Sequence, residues 1–197
     1  MKPRDANVRR GKLLEEQYEA LWLLLNHEEA SFKGEYVEFH DISINPKPLQ
    51  KPLPLLITGE DPINAERVAK WGTGWATNNS ELPKIRQLWE ILLPLLEQRG
   101  RDPAEIEMNT GMTVTMASTH EEAVKTLNKT LTEDQDGEAV AAKRLVGTPE
   151  EIAEKLHKLE EDGLNHLIVR QSRRDIPFDE LQERIQAFAE DVLPLLR

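Results

Sequence analysis

The residues able to do chemistry cluster at a few places along the 197-residue chain. Thr58 and Gly59 close the apolar run Leu53 to Thr58. A glycine at the C-terminal end of a strand lets the backbone approach a ligand, and a helix N-terminus after it favours an anion. The same pair also makes a plain strand-to-helix turn. Asn109, Thr110 and Thr113 lie in a β-branched stretch. They either aim polar groups into a ligand mouth or belong to a half-solvated strand. Arg170, Arg173 and Arg174 follow the last strand, where guanidinium groups meet a phosphate or an acidic substrate, or else form a solvated basic loop.

Other chemistries are excluded. The histidines at 27, 40, 120, 157 and 166 show no HExxH or other metal-ligand spacing; His166, beside a strand start, is the one to watch. With no cysteine there is no disulfide framework, thiolate nucleophile or Cys-held metal, and a reducing cytoplasm is the expected setting. No dinucleotide fingerprint, Walker loop or nucleophile elbow is present. The net charge of −11 repels nucleic acid and anionic lipid. No apolar stretch approaches the roughly 20 residues that cross a bilayer. Glu150, Glu151, Glu154, Glu160, Glu161 and Asp162 read as one solvated helix face, with Glu151 and Lys155 at i,i+4.

The elements that must position these residues follow from periodicity. Apolar residues from Leu13 to Leu25 recur at helical spacing. The segment 31–54 predicts a short strand or hairpin and then a Pro-stiffened crossing. LPLLIT, ending at Thr58, reads as a strand buried on both faces. A short helix over INAERVAKWG and a strand over GWATN follow. Leu82 to Arg99 is a helix opened by Pro83, kinked at Pro94 and ended by Gly100. IEMNTGMTVTMA is a third strand, a helix starts near His120, and TEDQDGEAV is a mobile polar loop. Thr148 and Glu151 form a capping box for the helix ended by Gly163, LNHLIVR is a fourth strand, and a helix runs to the C-terminus.

A leading helix and hairpin with four strand–helix units make a single α/β domain over 1–197. Four parallel βα units are half of a TIM-type (β/α)8 barrel.

The pieces RRGKLLEEQYEALWLLL, FKGEYVEFHDISINPKPLQKPLPLLITG, AERVAKWGTGWATN, RGRDPAEIE and VGTPEEIAEKLHKLEEDGLNHLIV resemble, in order, the bacterial luciferase-like monooxygenase family. The resemblance implies the C-terminal half of a barrel that binds reduced flavin mononucleotide (FMN) or a deazaflavin at its strand ends, and a flavin-dependent oxidoreductase or monooxygenase activity. It also implies that Thr58, Gly59, Gly74, Trp75, Thr77 and Asn78 bind the cofactor, the last four against its ribityl-phosphate tail. The family's first four strands, with a proton-handling histidine, have no counterpart. Two positions depart from the pattern: Glu60 replaces the second glycine of a Gly-Gly pair, and Thr73 replaces an aspartate. A carboxylate beside a phosphate is repulsive.

Four parallel strands cannot close a barrel and leave two edges and an apolar face open. The expected remedies are a homo-oligomer or a separate N-terminal half, acting on a small-molecule substrate. The alternatives are a non-catalytic half-barrel serving as a structural or interaction module, and a start that lies within a longer enzyme.

Overall fold

The computed structural model describes residues 9–77, 81–170 and 177–197. Helix α1 (Arg10–Asn26) is followed by an antiparallel hairpin, β1 (Ala30–Lys33) and β2 (Glu38–Ile42). Glu16 of α1 fastens this hairpin by accepting bonds from the backbone N–H groups of Glu35 (2.9 Å), Tyr36 (2.8 Å) and Val37 (3.0 Å). Desolvation pushes the Glu16 carboxyl up, but the three N–H donors outweigh it and hold the group below its usual value. A Cβ at Gly34 would run into that carboxylate, which explains the glycine in the turn.

Then come β3 (Leu56–Thr58), α2 (Ile63–Trp71), β4 (Gly74–Thr77), α3 (Ile85–Gln98) and the long β5 (Glu107–Met116). The chain continues through α4 (His120–Asn128), α5 (Gly137–Ala142), β6 (Leu145–Gly147), α6 (Pro149–Glu161), β7 (His166–Arg170) and α7 (Phe178–Ala187). All pairings in the main sheet are parallel: β3 on β4, β4 on β5, β7 on β5, and β6 on the C-terminal end of β5. The α/β architecture read from the sequence is therefore present, with four strands in the order β3, β4, β5, β7 and a short fifth on the end of β5.

Strand alternation and register assign every side chain to one of two faces. Ile57, Trp75, Met108, Met112 and Val114 share one face and join Val68, Leu92, Leu96 and Ile152 of the helices in the core. Their neighbours form the other face: Leu56, Thr58, Ala76, Glu107, Asn109, Gly111, Thr113, His166, Ile168 and Arg170. On it Leu56 is 37% exposed and Ile168 48%. Full burial of such a side chain is worth about 1.5–3 kcal/mol, so this face leaves stabilisation unclaimed. Among the described residues β3 and β7 each pair with a single neighbour.

Several elements differ from the sequence expectation. The polar segment after α4 contains helix α5, because Asp136 caps it through the N–H groups of Glu138 and Ala139 and Ala141 is buried beneath it. Strand β6 was not expected; three residues carry no periodicity, and its pairing with Val114 to Met116 is tertiary. Strand β3 begins only at Leu56, since Pro52 and Pro54 cannot donate to a ladder. Helix α3 starts at Ile85, three residues after the expected Leu82, and has the exposed Pro94 inside it. The last helix gives way at Phe188 to a π-turn and a 3-10 turn before Arg197.

Candidate functional site

Parallel strands put all their C-terminal ends on one side, and that side is where sheets of this kind hold ligands. Here it is built from Thr58 and Gly59 after β3, Thr77 at the end of β4, Thr113 and Met116 on β5, Gly147 of β6 and Arg170 of β7.

Thr58 is exposed on the uncovered face, next to Ala76 in register. Gly59 has φ +100°, a backbone conformation open to glycine. Its N–H donates to the Ala76 carbonyl at 3.0 Å, and its own carbonyl accepts from the Trp75 indole Nε1 at 2.5 Å. The Asn64 amide donates to the carbonyls of Thr58 (3.0 Å) and Gly59 (3.3 Å). The turn is thus fixed from three directions.

The remaining expected residues are placed differently. Trp75 is fully buried on the helix side of the sheet and reaches the turn only through its indole N–H. Thr77 is buried on the same side, with its hydroxyl donating to Thr110 at 2.8 Å. Gly74 stands at the opposite, N-terminal end of β4, where a Cβ would collide with Glu107 and Leu56. Its glycine serves close strand packing, and the structure does not bring it to the mouth. Thr73, the departure from the family aspartate, is also at that far end; its hydroxyl accepts from the Leu55 N–H at 2.8 Å and so joins β3 to β4. Asn78, Arg173 and Arg174 lie outside the described residues.

One pair was not singled out from the sequence. Ala76, whose direct partner is the buried Asn109, and Gly111 lie diagonally across β4 and β5 and make a shallow floor between Thr58 and Arg170. Arg170 donates to the Gly111 carbonyl, and a Cβ at Gly111 would lie 3.3 Å from its Nε, so the missing side chain makes room for the guanidinium. Alternation in β3, β4 and β5 was the available signal, but it needed the register to reveal which residues share a face. Lower on the same face, Glu107 accepts from Asn109 at 2.8 Å and meets His166 at 3.3 Å. Among the described residues no three His, Cys, Asp or Glu groups could hold a metal ion.

Beyond β5 and β6, His120 links three helices at the same end. It contacts Glu138 of α5 and Glu151 of α6, each at 3.0 Å. The Glu138 bond, followed by that of Glu151, raises the His120 pKa above its ordinary value. Glu151 also closes the capping box with Thr148. A cavity of about 900 Å³ runs along the outer side of α6, from His120 to Leu195, and not over the floor.

A family model described as luciferase-like monooxygenase matches residues 5–139. The chain belongs to this family. It is 23% identical to the FMNH2-dependent dimethylsulfone monooxygenase of Pseudomonas putida, an alignment covering 98% of this chain and 59% of that protein. A monooxygenase structure from Streptomyces bottropensis superposes with a TM-score of 0.75 at 23% identity, over 91% of this chain and 60% of its own. An F420-dependent secondary alcohol dehydrogenase, solved with an F420-acetone adduct, gives 0.73 at 18% identity over 92% and 60%. The chain therefore spans about three fifths of the length of these relatives. No described helix is long and apolar enough to cross a membrane.

Proposed function

We propose that this chain forms one wall of the active site of a flavin- or deazaflavin-dependent oxidoreductase acting on a small molecule. The observation that carries the reading is the uncovered face, whose strand ends combine a small-residue floor with flanking polar groups. A flat ring system needs close approach to backbone, which Ala76 permits, and polar anchors at the rim, which the exposed Thr58 and the Arg170 guanidinium over Gly111 offer. These residues fit such a group. Asn78 is proposed to join Thr58 and Gly59 at the tail, while Trp75 and Thr77 support the site from beneath. When bound, a reduced flavin would supply electrons to oxygen, or a deazaflavin would exchange hydride with a carbonyl or alcohol.

The protein's own part is to bind, orient and exclude water. Arg170, held by the Gly111 carbonyl, sets a positive charge at the rim of the floor. Exclusion of water calls for a second wall. We infer that further βα units cover Leu56 and Ile168, supplied by a second copy of this chain or by a separate N-terminal half.

Light scattering on the purified chain, with fluorescence titration of FMN and a deazaflavin in both redox states, tests this reading. A dimer, or a complex with the complementary half, that quenches cofactor fluorescence is expected. A stable monomer that binds neither cofactor overturns it and favours a half-barrel that acts only as an interaction module.

A further inference from the structure

The turn after β3 is held by a chain of polar side chains that starts two helices away. Glu15 of α1 meets the Arg67 guanidinium at 3.4 Å. Arg67 is only 8% exposed and donates from its other terminal nitrogen to the Asn64 Oδ1 at 2.9 Å. That bond fixes which way the Asn64 amide faces, because its oxygen is engaged and its NH2 must turn to the Thr58 and Gly59 carbonyls. Trp75 adds a second donor to the Gly59 carbonyl. Burying a guanidinium is costly, and the Arg67 Nε finds no partner among the described residues. A position kept at that cost is one whose geometry matters.

We propose that Asn64 and Arg67 are positioning residues for an anionic ligand tail at the strand-end mouth. This inference rests on the flavin reading above and deepens it. A carbonyl oxygen carries partial negative charge. With the Thr58 and Gly59 carbonyls engaged by the Asn64 amide, part of that charge is neutralised, and the exposed Thr58 side chain is left for the ligand. Losing the Asn64 amide would leave the Thr58 carbonyl without this donor and the Gly59 carbonyl with Trp75 alone, and so make the turn more negative without touching Ala76 or Gly111.

The experiment compares Asn64→Ala and the milder Asn64→Ser with the parent chain. FMN, which carries a phosphate, and riboflavin, which does not, serve as ligands. Expected are a rise in the FMN Kd on the order of tenfold, about 1.4 kcal/mol, and an unchanged riboflavin Kd. In ligand-free NMR the Trp75 indole N–H moves toward its free position and the Gly59 amide exchanges faster. Arg67→Gln gives the same pattern in weaker form. Equal loss of both ligands reduces Asn64 to a structural support and overturns the proposal. Indole and Gly59 signals that match the parent chain overturn it as well. If the parent chain binds neither flavin, the functional reading fails and with it the ligand role. The ligand-free signals then still report whether Asn64 and Arg67 hold the turn.

Discussion

The hydroxyl pair Thr77–Thr110 joins the two central strands at 2.8 Å in a site where both side chains are essentially sealed, 2% and 0% exposed. Replacing Thr77 by Val keeps the shape and removes the donor, leaving the Thr110 hydroxyl in an apolar layer without this partner. Stranding one buried polar group costs roughly 1–3 kcal/mol, whereas removing both members together is nearly neutral. T77V and T110V alone are therefore each expected to destabilise by about 1–2 kcal/mol, and T77V/T110V by less than either, since valine also suits a strand. The coupling energy is then larger than either single effect, roughly 2–4 kcal/mol for a nearly neutral double variant, and opposite in sign to the single effects. Urea unfolding followed by far-UV circular dichroism reads it out. With a slope of about 2 kcal/mol per molar, each single variant shifts the midpoint down by roughly 0.5–1 M. A double variant as unstable as the sum of the singles would refute the argument, because each hydroxyl would then have its own separate partner.

Further outcomes follow from the same geometry. Gly59→Ala forces a side chain into φ +100° and within 3.1 Å of the Asn64 Nδ2, and is expected to lose about 1–3 kcal/mol in the same assay. His120 has a raised pKa, so its contacts stabilise fully below its unfolded value near 6.5 and fade as pH rises through the folded one. The stability deficit of His120→Gln should accordingly be largest below about pH 6.5 and shrink as pH rises beyond it; a deficit independent of pH contradicts this. Lys155 donates to the carbonyls of Ala141, Arg144 and Val146, with desolvation lowering its pKa. Lys155→Met should speed amide exchange across 137–147 more than in the β3–β4 region, as measured by mass spectrometry.

Elements with strong local signals were legible in the sequence. The Thr148–Glu151 capping box, the Gly163 terminator and the helical spacing of α1 each depend on neighbours within a turn or two. What the sequence concealed was tertiary. Helix α5 looked like a loop because its stability comes from Asp136, the buried Ala141 and the distant Lys155. Strand β6 exists only against the end of β5. For the site, the residues Thr58 and Gly59 were visible as a glycine closing an apolar run. That Trp75 and Thr77 face the helices, and that Gly74 lies at the opposite end, required the register of β3, β4 and β5. Asn64 and Arg67 carried no motif at all; a polar pair three residues apart on a helix is ordinary until the turn it holds is known.

The central claim is that the strand-end mouth on the uncovered face binds the cofactor. Chemical-shift mapping during an FMN titration of isotope-labelled chain tests it most directly. The account predicts that perturbed amides cluster at Thr58, Gly59, Ala76, Gly111, Thr113 and Arg170. Perturbation confined to the opposite end, around Trp22, Thr73 and Glu105, would contradict it.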